Sequence, residues 1–150
     1  MHLVIIENHI AAHGHQHDEL RGVQITEAMD TARAIREKYG CNVLLTGDLN
    51  SKPHGRAYTM LLRNRFKNVH DIAHVTDNCT TYWGDDPRFI KEAYVFVRPR
   101  ERRSPYGATA CDHTFCLGDN VAFRRFDILT DPCSLAVSDH AATAMDFDLY

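Results

Sequence analysis

Six residues whose types could do chemistry lie beside short apolar runs of this chain. His9 follows LVII, Asp48 and Asn50 follow NVLL, Asp112 lies within CDHTFCL, and Asp139 and His140 precede AATAMDFDL. Carboxylates and imidazoles transfer protons and bind divalent cations, and an amide can donate to an oxyanion. The pattern indicates acid–base or metal-assisted chemistry near the ends of strands.

Each of these signals also has an ordinary structural explanation when it is taken alone. A Gly-Asp pair after a strand is more often a turn, an Asp-His pair is usually a cap or a surface pair, and a lone buried histidine is usually a satisfied core residue. The combination carries more weight, because strand ends in α/β folds gather functional groups on a rigid scaffold beside open loops.

Two strands and a long helix must position the first of these residues. The runs Leu3–Ile6 and Asn42–Thr46 predict buried strands. Between them, apolar or small residues recur at helical spacing from Asp18 to Tyr39, and Gly40 follows as a C-cap. Strand, long helix and strand in this order favour parallel pairing, which places residues 47–50 at the carboxyl end of a strand.

The expected buried faces of the helices follow from the same spacing. On the long helix the face consists of Leu20, Val23, Ala28, Ala32 and Ile35. A short second helix is predicted over Arg56–Asn64, with Tyr58, Leu61 and Leu62 turned towards a core.

The second half of the chain has a period of two and is expected to be mainly β. Strands are predicted at Cys79–Trp83, Cys111–Leu117, Val121–Leu129 and Ala141–Leu149, with Gly118–Asn120 as a hairpin turn. The whole chain is therefore predicted to be α/β with one core.

Composition restricts the class of protein. A net charge of -3 and a pI near 6.3 argue against binding nucleic acid by general electrostatic attraction. Five cysteines without a CxxC pair suggest neither a disulfide framework nor a zinc ribbon, and unpaired thiols favour the cytoplasm. No apolar run approaches the length of a membrane span, so the chain is expected to be soluble.

Two local clusters stand out from this average composition. His13, His15 and His17 alternate and could form a Zn²⁺, Ni²⁺ or Cu²⁺ site, although alternate histidines in a loop are more often solvated. Four arginines between Arg98 and Arg103 could contact phosphate oxygens, although a solvated basic loop is the commoner outcome.

Four segments together suggest a family. In chain order they are Asn8-His9-Ile10 with Arg21 and Gln24, then Thr46–Asn50, then Asp112–Phe115, then Ser138-Asp139-His140. They resemble the NTHL strand end with its R-x-x-Q helix, the GDFN, the IDYIF and the SDH motifs of the endonuclease/exonuclease/phosphatase superfamily. The resemblance implies the C-terminal half of a DNase I-like four-layer α/β sandwich, with a mixed sheet and flanking helices.

The resemblance also implies catalytic roles for matching residues in the hydrolysis of a phosphate ester. His140 would act as general base or phosphate contact, with Asp112 bonded to its other ring nitrogen. Asp48 would orient or deprotonate the water, and Asn50 would donate its amide to a phosphate oxygen. His9 would be a phosphate donor or general acid.

A divalent cation and a phosphorylated substrate follow from the same resemblance. Asp139 and Asp48 are the implied metal ligands, and carboxylate oxygens suit Mg²⁺ or Mn²⁺. The substrate is expected to be a nucleic acid or a small phosphorylated molecule. The alternative is a binding or structural module that has kept the fold without catalysis, because the family's metal-binding glutamate has no counterpart with matching context here.

Residues 1–150 are expected to form a single partial domain, because members of the family are longer and the resemblance begins near their middle strand. If each half of that domain supplies mainly one sheet, an apolar sheet face is left exposed. A second copy in a homo-oligomer, or the other half of the domain, is expected to cover it. Leu49, Cys111 and His113 depart from the family's motifs and are expected to be packing changes.

Overall fold

Three helices and seven strands make up the part of the chain that the computed structural model describes, residues 2–11, 17–76, 111–129 and 140–150. The helices are α1 (Asp18–Tyr39), α2 (Arg56–Arg63) and α3 (Val69–Ile72). The strands are β1 (Leu3–His9), β2 (Asn42–Asp48), β3 (Lys67–Asn68), β4 (Val75–Thr76), β5 (Asp112–Leu117), β6 (Val121–Leu129) and β7 (Ala142–Leu149). The predicted strand Cys79–Trp83, the arginine cluster and residues 13 and 15 of the histidine cluster lie outside the described residues.

The long helix α1 has the bounds that its sequence predicts. Asp18 and Glu19 lie in its first turn, where negative charge is favourable near the amino end of the helix dipole. Gly40 ends the helix in the left-handed conformation, with φ 61°, and donates its N–H to the carbonyl oxygen of Arg36 at 2.8 Å. Glycine adopts this conformation without a Cβ clash, and the C-cap prediction is confirmed.

The buried face of α1 is rotated from the predicted one at its amino end. Ala28 and Ala32 are buried as expected, but Leu20 and Val23 are 46% and 56% exposed. The buried row of α1 runs instead through Ile25, Ala28 and Ala32, whose spacing follows the helical period more closely. In α2 the same correction applies to Leu62, which is 42% exposed.

The first sheet has the strand order β1-β2-β5-β3. β1 and β2 are parallel, which confirms the crossover prediction, and β5 is antiparallel to both β2 and β3. One face of this sheet packs against α1 and α2, in a core that includes Val43, Leu45 and Phe115. Because side chains alternate along a strand, Leu44 and Cys116 point to the opposite face.

The second sheet, β4-β6-β7, covers that opposite face, where Phe123 and Phe126 pack with Leu44. The predicted hairpin at Gly118–Asn120 is therefore wrong, since β5 and β6 belong to different sheets and β6 pairs with β7. The side chain of Asn42 accepts from the backbone N–H of Asn120 and donates to its carbonyl, at 3.3 and 3.1 Å. These two bonds help to hold the turn as a crossover between sheets.

The chain thus supplies strands to both sheets, rather than mainly to one. The second sheet covers Leu44 of β2, but Ile5, its partner on the outer strand β1, is 60% exposed. An apolar side chain on the inner face of β1 is therefore open to solvent in this chain alone. No helix among the described residues has both the length and the apolar character that crossing a bilayer requires.

Three cysteines of the described residues, Cys41, Cys111 and Cys116, are free and buried, in keeping with the prediction of unpaired thiols. Burial raises the pKa of the Cys116 thiol to about 11. This thiol is therefore protonated at neutral pH and packs as a small apolar side chain in the core between the sheets.

Candidate active site

The pairing register of three strands brings three of the predicted residues into one row. His9 pairs with Asp48 across the parallel ladder of β1 and β2, and Asp48 pairs with Asp112 across the antiparallel ladder of β2 and β5. Paired residues in a sheet point to the same face. This face is the one that carries Leu44, four residues before Asp48, so the row faces the side of the second sheet.

His140, just before β7, closes the site from the second sheet. Its Nδ1 lies 2.8 Å from Oδ2 of Asp112, and its Nε2 lies 3.9 Å from Oδ2 of Asp48. An ionised carboxylate can only accept, so Nδ1 donates in this contact and Nε2 is the ring nitrogen that lies towards Asp48. The sequence prediction of a His140–Asp112 pair agrees with this contact.

His9 lies at the open rim of the site. Its Nε2 is 3.7 Å from Oδ2 of Asp48, and its side chain is 77% exposed, whereas that of Asp48 is 13% exposed. Two imidazoles therefore flank one carboxylate oxygen, one of them held inside the site and the other accessible to a ligand.

Asn50 holds Asp48 in place. Its backbone N–H donates to Oδ1 of Asp48 at 2.7 Å, and its Nδ2 donates to Oδ2 of Asp48 at 3.0 Å and to the carbonyl of Ile10 at 2.8 Å. Asn50 has φ 44°, a left-handed conformation that asparagine tolerates better than most residues. Both amide hydrogens are thus bonded within the protein, so a donation to phosphate would have to replace one of these bonds.

The chain that follows His9 is held by the first turns of α1. Arg21 donates from Nε to the carbonyl of Ala11 at 2.9 Å, and Oε1 of Gln24 accepts from the N–H of the same residue at 3.0 Å. The N–H of Ile10 donates to the carbonyl of Asp48 at 2.9 Å. The R-x-x-Q pattern therefore fixes the backbone beside the site rather than entering the row itself.

Gly47 allows β1 and β2 to approach each other next to Asp48. It has φ 124°, and a Cβ at this position would lie 2.0 Å from the carbonyl oxygen of Asn8. Only glycine fits this conformation and this contact with backbone. The residue before Asp48 is thus a requirement of the sheet as well as part of the motif.

Replacing Gly47 by alanine is expected to lower the free energy of unfolding by about 2–4 kcal/mol, because the new methyl group must displace backbone at a strained φ. Gly40→Ala is the control, since Gly40 also has a positive φ but no atom within 4 Å of an added Cβ. Its cost should be about 1 kcal/mol. Urea unfolding of both variants measures the difference, and equal losses would contradict the close approach.

Two polar residues that sequence reasoning did not place in the site support it from β5. His113 points to the helix side, donates from Nε2 to the carbonyl of Ser51 at 2.9 Å, and packs edge-on against Tyr58. Thr114 shares a hydrogen bond of 2.8 Å with Thr46 on the inner face. Side chains alternate between the two faces along β5, so Asp112 and Thr114 lie on the inner face and His113 lies on the helix side.

The thiol of Cys111 also belongs to the site. Among the described residues, Asp48, Cys111 and His140 each place a ligand atom within 4.8 Å of the other two. Sγ of Cys111 donates to Oδ2 of Asp112 at 3.5 Å. The packing role expected for Cys111 is therefore incomplete, since its sulfur lies beside the carboxylates. Asp139, the other expected metal ligand, lies outside the described residues.

Comparisons with known proteins identify the fold. No family model and no curated protein matches the sequence. A mannosyl-6-phosphatase from Bacteroides thetaiotaomicron matches with a TM-score of 0.70 and 14% identity over 97% of this chain and 51% of its own. An endonuclease/exonuclease/phosphatase from Bacteroides vulgatus matches with a TM-score of 0.62 and 23% identity over 89% and 45%. The human Nocturnin catalytic domain with bound sulfate matches with a TM-score of 0.63 and 15% identity over 97% and 47%.

These matches show that the chain has the endonuclease/exonuclease/phosphatase fold, as the motifs predict. At such identities the likeness concerns the fold. The chain spans about half the length of each of these solved structures.

Proposed function

We propose that this chain carries part of the active site of a divalent-metal-dependent phosphoesterase. The observation that supports this most directly is the joining of His140, Asp112 and Asp48 by contacts of 2.8 and 3.9 Å at the end of a sheet of this fold. An oriented imidazole beside a carboxylate is an arrangement that activates water for attack on an ester.

In this proposal His140 is the general base. Asp112 holds the proton on Nδ1, so Nε2 accepts a proton from water as the water oxygen bonds to phosphorus. The gap of 3.9 Å between Nε2 and Oδ2 of Asp48 is longer than a hydrogen bond and is bridged by that water, which can donate to both acceptors. Asp48, held by Asn50, accepts the second hydrogen of the water and orients it.

The bond between phosphorus and the ester oxygen breaks as water attacks, and the leaving oxygen takes up a proton. His9 ends the outer strand β1, and its exposed ring lies 3.7 Å from Oδ2 of Asp48. It is therefore placed for this donation or for a contact with a phosphate oxygen. Asn50 acts mainly as a positioning residue, since its amide hydrogens already bond to Asp48 and to the Ile10 carbonyl.

The described residues fit Mg²⁺ or Mn²⁺ in part. Asp48 offers the carboxylate oxygens that these cations prefer, and Mg²⁺ keeps several of its waters when bound. Asp139 would add a second carboxylate. When bound, the cation would neutralise charge on the phosphate oxygens. Cys111 and His140 are softer donors, which suit Zn²⁺ better than Mg²⁺.

Hydrolysis of bis-p-nitrophenyl phosphate, p-nitrophenyl phosphate and DNA with Mg²⁺ or Mn²⁺ tests this function. We expect turnover of at least one substrate that stops when the metal is chelated. The assay should use this chain and any longer gene product that contains it, because the solved structures with this fold are about twice as long. Absence of metal-dependent turnover in both would favour a binding or structural module.

A further inference from the structure

A basic pocket lies at the end of the first sheet opposite to the candidate active site. Its volume is about 660 Å³, and its charged lining residues are Arg33, Arg36, Arg63, Arg65, Lys67 and Asp119. The turn after β5 forms one wall, whereas Asp112 of the active site begins the same strand. At about 3.4 Å per residue, the five steps from Asp112 to Leu117 separate the two sites by roughly 17 Å.

The charge of this pocket contrasts with that of the whole chain. Among the residues that line the pocket, five cations face one carboxylate, a net charge of +4, whereas the chain carries -3. The carboxylate of Asp30, outside this lining, pairs with Arg33 at 3.1 Å. Lys67 is the closest partner of Asp119, at 2.6 Å, and Arg36 lies 3.9 Å from the same carboxylate. A hydrogen bond from Lys67 and the charges of Lys67 and Arg36 hold the pKa of the Asp119 carboxyl below its usual range.

The remaining arginines differ in the partners that they have. Arg63 and Arg65 are exposed and have no ion pair with a carboxylate in the described part of the chain. Arg33 donates from Nη1 to Oδ1 of Asp30 at 3.1 Å and from Nη2 to Oδ1 of Asn64 at 2.7 Å. Nδ2 of Asn64 donates to the carbonyl of Met60 at 2.8 Å. A side chain held in this way loses less freedom when an anion binds.

We propose that this pocket binds a ligand with at least two adjacent phosphate groups. Guanidinium groups match phosphate oxygens with paired N–H donors, and several of them around one concave space favour a multiply charged anion over a single phosphate. The volume suits a ligand of this size. A small polyphosphate and the backbone of a nucleic-acid strand share this chemistry. Binding at this pocket does not depend on catalysis at the candidate active site.

Calorimetric titration of the chain with inorganic tripolyphosphate, in the presence of a chelator and at fixed ionic strength, tests the proposal. We expect tripolyphosphate to bind more tightly than inorganic phosphate. The double variant Arg63→Ala/Arg65→Ala should weaken tripolyphosphate binding at least about 10-fold. Asp48→Asn/His140→Ala should bind as the wild type does, which separates this site from the proposed active site.

The control is Arg124→Ala/Arg125→Ala, which removes two exposed arginines of β6 and changes the net charge equally. It should leave tripolyphosphate binding unchanged. A ten-nucleotide single strand without a terminal phosphate serves as the second probe: if it shows the same dependence on Arg63 and Arg65, the phosphate source is a nucleic-acid backbone, and if it does not bind, the source is a small polyphosphate. Equal losses in both arginine variants, or no binding of either probe, would overturn the proposal.

Discussion

His140→Ala is expected to reduce metal-dependent phosphoester hydrolysis by about 10³-fold, the largest effect of any single substitution in the site. General acid–base catalysis contributes about 10²–10⁴-fold, and this substitution also removes the group that faces Asp48. Asp112→Asn keeps the shape but can offer an N–H to Nδ1 instead of accepting from it, which favours the wrong tautomer. Asp112→Asn should reduce the rate of hydrolysis less than His140→Ala does, but much more than a surface substitution does.

Steady-state rates with bis-p-nitrophenyl phosphate measure both losses. His74→Ala is the matched control, because the side chain of His74 is exposed and its backbone N–H donates to the carbonyl of Phe123, a bond that the substitution keeps. It should retain the wild-type rate, and unfolding curves should show that all three variants are folded. Hydrolysis by His140→Ala at the wild-type rate would contradict the role of His140 as general base.

Zinc is expected to bind at the candidate site more tightly than magnesium and to inhibit hydrolysis. The physical reason is the donor set, since a thiol, an imidazole and a carboxylate within 4.8 Å of one another suit a borderline-soft cation. Cys111→Ser should weaken zinc binding at least about 10–100-fold, because even residues that only support metal ligands are worth that much. The magnesium dependence of the rate should change little.

Competition with a chromophoric chelator measures zinc affinity, and cobalt provides a second reading through the absorption band that a thiolate ligand gives it. Cys41→Ser is the control, because Cys41 is another buried free cysteine but is not part of this donor set. The band should persist in Cys41→Ser and disappear in Cys111→Ser. Unchanged zinc affinity in Cys111→Ser would confine Cys111 to packing.

Sequence reasoning performed best where a local pattern determines the structure. The bounds of α1 follow from its spacing and from the left-handed Gly40, and the parallel pairing of β1 and β2 follows from the long crossover helix. The contact of His140 with Asp112 is expected from the motif resemblance alone, because no local rule brings residues so far apart in the chain together. The approach of His140 to Asp48 is seen only in the structure.

Predictions failed where long-range contacts decide. Gly118–Asn120 has the composition of a hairpin turn, yet bonds from Asn42 direct it between sheets. Leu20 and Val23 are apolar at helical spacing but lie beyond the packed row of α1. The role of Asn50 as a phosphate donor stays a prediction, and its bonds to Asp48 and to the Ile10 carbonyl are visible only in three dimensions.

The row formed by His9, Asp48 and Asp112 makes the chemistry sensitive to strand register. A slip of β1 by one residue against β2 would turn His9 to the helix side and bring a neighbouring residue into its place. A slip of two residues would leave His9 on the inner face but move its ring by about 7 Å along the strand. Overall helix and strand content would hardly change in either case. Activity after refolding would therefore report on correct strand alignment, which spectroscopic measures of secondary structure do not detect.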